Sequence, residues 1–203
     1  MKKYIFPFLF LFVFISQAQI NSNPKLLTIN RIKNAPKIDG ILNEDFWQFS
    51  DVAKDFVMFR PGFGDKEHEG KKTEVRVAYD NEAIYFGAYL FDDAIENIGL
   101  ESSTRDNFAQ SDWFGIMINP LNDGLNDTEF FIQATGNQAD AKASIDNEDF
   151  SWSSVWESAV KIDDEKWVVE VKIPYAALRF SNNKEQIWGI NFHRKIQNTN
   201  EQF

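Results

Sequence analysis

Residues 166–196, KWVVEVKIPYAALRFSNNKEQIWGINFHRKI, carry the pattern that decides the fold. Trp167, Val169, Val171 and Ile173 recur at every second position, while Glu170 and Lys172 break the opposite side. Side chains alternate across a strand, so this is a strand with one apolar face and one polar face. Pro174 has no N–H to give to a ladder and ends it. Its fixed φ suits the first position of a short helix over 175–180. Ser181, Asn182 and Asn183 then turn the chain. Trp188, Ile190 and Phe192 begin a second alternating strand, expected to return beside the first. The apolar side of this unit requires a partner sheet.

The preceding residues supply one. A short edge strand is expected near Leu27, Ile29 and Ile32, and another over 55–59. Between them, Asp39-Gly40 signals a turn, and Asn43 is expected to cap a very short helix. Glu44 and Asp45 fall in its first turn, where the helix dipole favours acids. Phe46 and Trp47 are placed to plug the end of the core. The stretch 60–72, RPGFGDKEHEGKK, reads as an exposed, mobile loop. Alternation resumes through Val75, Val77 and Tyr79. Residues 84–91 are apolar on both faces, as in a central strand. Phe114, Ile116 and Ile118 define the next strand, and Phe130, Ile132 and Ala134 the one after. Gly136-Asn137 turns into Ala139, Ala141 and Ala143, and a further strand covers 155–162. About nine short strands with turns every roughly 8–12 residues predict an all-β fold, an antiparallel β-sandwich with one or two very short helices.

Residues 1–18 read as a secretory signal: Lys2 and Lys3, an apolar run from Ile5 to Ile15, and small residues before Gln19. The run is shorter than the roughly 20 residues a membrane-spanning helix needs. Residues 19–35 read as leader and edge strand, 36–197 as the sandwich, and 198–203 as a C-terminal tail. The formal charge of −10 argues against nucleic acid and anionic membrane surfaces as partners. With no cysteine, stability rests on a core and not on disulfides.

Conventional catalytic sets are sparse. His68 and His193 are the two histidines, and no nucleophile motif, phosphate loop or dinucleotide fingerprint occurs. Oxygen-rich turns are the next signal. Asp92 and Asp93 follow one strand, and Asp123 and Asp127 sit in a second turn, hard ligands of the kind Ca²⁺ takes. Turn chemistry alone also accounts for them. The third signal is aromatic: Trp113, Trp152 and Trp156 stand beside loops rich in Asp, Asn and Ser. Rings cover the C–H face of a sugar while amides and carboxylates take its hydroxyls.

Five motifs in order resemble family 9 carbohydrate-binding modules. They are Ile38-Asp39-Gly40 with Glu44 and Trp47; TEVRVAYD from Thr73 to Asp80; Ala83-Ile84-Tyr85 with Asp92; Asp112 opening the strand at Trp113; and Glu170-Val171-Lys172-Ile173-Pro174 with Trp188-Gly189. Arg105-Asp106, Val155-Trp156-Glu157 and Leu178-Arg179-Phe180 are similar to a variant found as the N-terminal domain of large exported envelope proteins of Bacteroidetes-type bacteria. The resemblance spans 38–196. It implies a jelly-roll or immunoglobulin-like sandwich and an oligosaccharide or polysaccharide partner. It also implies a setting in carbohydrate catabolism beside glycoside hydrolases, at the periplasm, outer membrane or cell surface. An outer-membrane barrel would follow in the full-length protein. Phe108, Trp113 and Trp156 lie nearest the family's binding edge, with Asp106, Asn107, Asp112 and Glu157 as polar neighbours. Better-studied members carry a tryptophan shortly before the position of Asp112, where this chain reads Phe108-Ala109-Gln110-Ser111. By alternation Trp113 points away from Phe114 and Ile116, whereas Trp156 shares a face with Val160 and Ile162. Two other readings stay open: a structural or interaction domain of an outer-membrane protein, and a glycoside hydrolase. The latter needs a carboxyl pair about 5–5.5 or 6.5–9.5 Å apart.

Overall fold

The computed structural model describes residues 25–203, so the expected export signal lies outside the described residues. In chain order the strands are β1 (Asn30–Arg31), β2 (Val52–Ala53), β3 (Thr73–Tyr79), β4 (Ala83–Phe91), β5 (Trp113–Asn119) and β6 (Asn126–Gln133). They continue as β7 (Gln138–Ser144), β8 (Asn147–Asp149), β9 (Glu157–Ile162), β10 (Lys166–Pro174), β11 (Gly189–Ile196) and β12 (Glu201–Gln202). Two six-stranded sheets result, ordered β1-β3-β4-β10-β9 with β2 also on β3, and β12-β11-β5-β6-β7-β8. Pairing is antiparallel except for β1 on β3. This is the β-sandwich the alternation predicts.

The inner faces follow the sequence phase. Trp167, Val169, Val171 and Ile173 of β10 are fully buried, as are Phe114, Ile116 and Ile118 of β5 and Phe130 and Ile132 of β6. They form one apolar cluster with Val75, Val77, Phe86 and Leu90. Burying each large side chain contributes about 1.5–3 kcal/mol, so this cluster dominates stability.

The return of β11 differs from expectation. It pairs with β5, Ile190 opposite Ile118 and Phe192 opposite Ile116, and so lies in the other sheet from β10. The segment after Pro174 is long enough to cross the end of the sandwich, and only Tyr175–Ala177 of it forms a 3-10 turn. The strand expected over 55–59 reduces to a single bridge from Val57 to Lys66. The tail is part of the sandwich: β12 pairs with β11, and Phe203 is buried. The loop 60–72 is likewise tied in, through Lys71, which is buried.

The outer face of the first sheet is covered, which overturns the polar reading of Glu170. The helix α1 (Asp45–Gln48) lays Trp47 on Tyr85, Ala78 and Val168, with Ile32 and Leu42 beside it. Glu44, not Asn43, holds the cap position, and no side-chain cap bond forms there. Glu44 instead accepts from the indole Nε1 of Trp47 at 3.1 Å, fixing the plug. Leu42 rests on Gly87, where an added Cβ would lie 2.7 Å from its methyl. Glu170 is wholly buried under this cover, its Oε2 accepting the backbone N–H groups of Asp39 (2.9 Å) and Gly40 (3.1 Å).

Burial pushes the Glu170 carboxyl up to about 7, against the pull of those two N–H donors. A raised acid in the folded state binds more protons than the unfolded chain between its ordinary value and about pH 7. Its contribution therefore favours folding below the ordinary range and is lost as pH rises through neutrality. Glu170→Gln keeps an acceptor for both N–H groups and abolishes the titration. Relative to wild type, the variant should gain about 2 kcal/mol on going from pH 5 to pH 8. Parallel denaturation midpoints across that range would contradict this.

Candidate functional site

Rings gather on the outer face of the second sheet, where Phe131 is buried and Trp113 and Phe108 keep part of their surface exposed. Alternation turns Trp113, Gly115 and Met117 of β5 outward, opposite the outward Gln133, Phe131 and Glu129 of β6. On β11, His193 stands across from Gly115. Phe131 lies over Gly115, whose missing Cβ would fall 3.0 Å from the ring. Any side chain at 115 displaces that ring. Trp113 meets Phe131 at 5.4 Å between centroids and His193 at 4.8 Å. Phe150, just after β8, meets Phe131 at 6.1 Å. Phe59 extends the row to 6.1 Å beyond His193. Aromatic rings thus run across β8, β6, β5 and β11, transverse to the strands.

Phe108 closes this row from above. It contacts Phe131 at 5.2 Å, Trp113 at 5.7 Å and Phe150 at 5.8 Å, and stays 40% exposed. Its loop is fixed by Gln133, which is buried on the outer face. Gln133 Nε2 donates to the carbonyl of Asn107 at 2.8 Å, and its Oε1 accepts from Ala109 N at 3.4 Å. Asn107 Nδ2 donates within the loop to Thr104 Oγ1 at 2.9 Å. Asp106, at φ +63°, accepts the N–H of Asp140 at 3.1 Å. Asp106 and Asn107 therefore position the loop that carries Phe108.

Two polar groups on this face are enclosed. Among the described residues His193 Nε2 finds no partner, and burial drives the imidazole down to about 4 against a hydrogen bond with Gln202, leaving it neutral at ordinary pH. Glu129 Oε2 is enclosed without a partner too. Burial first, then the charges of Glu148 and Asp127, push that carboxyl up to about 7. Rings with polar groups beside them are the kind of surface a hydroxyl-rich ligand uses.

Three expected ligand residues lie elsewhere. Trp156 is buried in the core, edge-on to Phe130 at 5.3 Å, and its Nε1 donates to Asp140 Oδ2 at 2.6 Å. Its phase with Val160 sends it inward. Asp112 is buried as well, its Oδ1 accepting from Gly99 N at 2.9 Å and Gln197 N at 3.0 Å. It latches two loops. Glu157 belongs to the first sheet, where it pairs with Lys172 Nζ at 3.0 Å. The structure thus unites Phe108 and Trp113, and adds Phe131, Phe150 and His193, which the sequence reading passed over. Phe131 was recoverable, since placing Phe130 and Ile132 inward turns it outward.

The four acids expected for Ca²⁺ are not assembled. Asp92 is buried between Arg194 Nη2 at 3.7 Å and Lys71 Nζ at 3.8 Å. Asp93 lies exposed against Gly70. Asp123 accepts from Leu125 N and Asn119 Nδ2, closing the β5–β6 turn, and Asp127 follows on β6. Among the described residues, no group of three or more His, Cys, Asp or Glu is placed to hold a metal ion.

The two-sheet sandwich thus carries a ring-lined outer face on its second sheet. The chain belongs to the family described as carbohydrate family 9 binding domain-like, whose model matches residues 38–202. Solved structures agree on the fold. A family 9 carbohydrate-binding module from Caldicellulosiruptor kristjanssonii in complex with glucose is 17% identical, with a TM-score of 0.58, covering 82% of this chain and 77% of that one. A module of the same family and organism in complex with cellotriose is 15% identical, TM-score 0.58, covering 86% and 80%. A search of the curated proteins finds no match.

Proposed function

We propose that the chain captures oligosaccharides on the outer face of the second sheet, as an exported module serving carbohydrate uptake or breakdown at the cell envelope. The row Phe150, Phe131, Trp113 and His193, capped by Phe108, carries this reading. Family membership supports it, and so do the glucose and cellotriose bound by similarly folded modules. The signal-like sequence of residues 1–18 motivates the exported setting.

A sugar held by a few rings and hydrogen bonds binds at about micromolar to millimolar, roughly −8 to −4 kcal/mol. Removing an anchoring ring costs about 2 kcal/mol, or about thirtyfold in affinity. Calorimetry with cellotriose should show that loss for Trp113→Ala, and a comparable one for Phe108→Ala. Trp152→Ala lies on the opposite side of the sheet and should bind as wild type does. Undiminished binding by both ring variants would place the site elsewhere. No binding by wild type at millimolar sugar would sink the cellotriose reading.

A further inference from the structure

Glu129 is the anomaly on this face. It is 6% exposed, and its Oε2 meets no donor. Its neighbours across the sheet are Met117 on β5 and Ala141 on β7, neither of which carries a side-chain donor. Phe131 stands two residues along the same strand and the same face, about 7 Å away. Every charged group acting on Glu129 is also negative: Asp127 on its own strand, and Glu148 on β8 beside outward Ala143. The nearest lysine on the adjacent strand, Lys142, belongs to the inner face, where its Nζ donates to Thr128 Oγ1 at 2.5 Å and lies 4.4 Å over Trp152. Three carboxylates therefore share one end of the ring row, and among the described residues the enclosed one has neither donor nor counter-charge.

We propose that Glu129 is the selectivity residue of this face, holding the ammonium group of an amino sugar seated against Trp113 and Phe108. The proposal rests on the carbohydrate reading above. An ammonium brings three donors and a positive charge, and so answers both deficits. A neutral hydroxyl satisfies a lone pair but leaves three carboxylates repelling one another.

The test compares cellotriose with the glucosamine trimer of the same linkage, by calorimetry at about pH 7, where the amine keeps much of its proton and the Glu129 carboxyl, pushed up to about 7, is partly ionised. Wild type should prefer the glucosamine trimer by about tenfold or more, the usual worth of a charge-assisted bond. Raising salt should erode that preference. Glu129→Gln, isosteric and relieved of a buried charge, should bring the ratio of affinities near unity. Glu148→Gln, exposed and on the edge strand, should reduce the ratio about threefold. Equal affinities in wild type, or a preference that survives Glu129→Gln, would overturn the proposal and leave the aromatic face intact as a sugar site. Failure of both trimers to bind would overturn it together with that reading. Stabilisation by calcium that Glu129→Gln abolishes would assign the carboxylates to a metal and overturn it as well.

Discussion

Replacing Arg194 with methionine should cost about 3–5 kcal/mol, the loss expected when one partner of a buried ion pair is removed. Arg194 is completely enclosed although it sits on an inward position of β11, in phase with Ile190 and Phe192. Its guanidinium crosses to the other sheet. Nη1 donates to the carbonyls of Lys71 at 2.8 Å and Lys72 at 3.2 Å, and Nη2 to the carbonyl of Phe91 at 2.8 Å. Asp92 lies 3.7 Å from Nη2. Methionine fills the space but takes the guanidinium donors from these carbonyls, leaving that of Lys72 with the N–H of Phe91 alone, and leaves the buried Asp92 carboxylate with Lys71 as its remaining cation. Lysine at 194 should fail nearly as badly, because a point charge cannot reproduce the planar fork. For a domain of this size the loss corresponds to a drop in Tm of about 10 °C. In denaturant, the midpoint should fall at unchanged slope. The double variant with Asp92→Asn should lose less than the two single losses together, since they share one network. A midpoint within about 0.5 kcal/mol of wild type would mean the guanidinium does not join the sheets.

Strand alternation made the two inner faces legible, because most inward positions carry an apolar residue at period two. It failed where polar residues occupy inward or covered positions. Arg194 was visible as a cation in phase with Ile190 and Phe192, but period alone does not reveal the distant carbonyls that satisfy it. Glu170 misled for a related reason. Its phase is right for the outer face, yet residues 32–50 cover that face, and the covering contact is more than a hundred positions away. The placement of β11 was lost to the same kind of ambiguity: alternation fixes a strand's faces but not its neighbour.

The site was half legible. Trp113 was correctly turned outward by its contrast with Phe114 and Ile116, whereas Phe108 sits in a loop without period and was singled out by the family resemblance. Phe131 and His193 carried the same information but stood next to residues read as core. Trp156 and Asp112 had the composition of ligand residues, and burial decides against them. Indole N–H and carboxylate groups fasten loops as readily as they bind sugars, so residue type without face assignment does not separate the two roles.

Val171→Asp should cost roughly 3 kcal/mol or more, while Lys172→Asp, one residue along the same strand, should cost under about 1 kcal/mol. β10 lies between β4 and β9, with Val171 opposite Phe86 on one side and Ser158 on the other. Val171 has no exposed surface and belongs to the apolar cluster between the sheets. A carboxylate there stands among apolar side chains, so it either stays charged without a partner or takes up a proton. The second route predicts a signature: the Val171→Asp deficit should shrink as pH falls toward about 5, because protonation removes the buried charge. Lys172 points the other way and pairs with the exposed Glu157 at 3.0 Å. Aspartate at 172 loses that pair and adds a like charge, each a small term at a surface. Denaturant midpoints at neutral and mildly acidic pH decide the matter. Equal losses for the two variants would reverse the face assignment of β10, and with it the packing of the first sheet on the second.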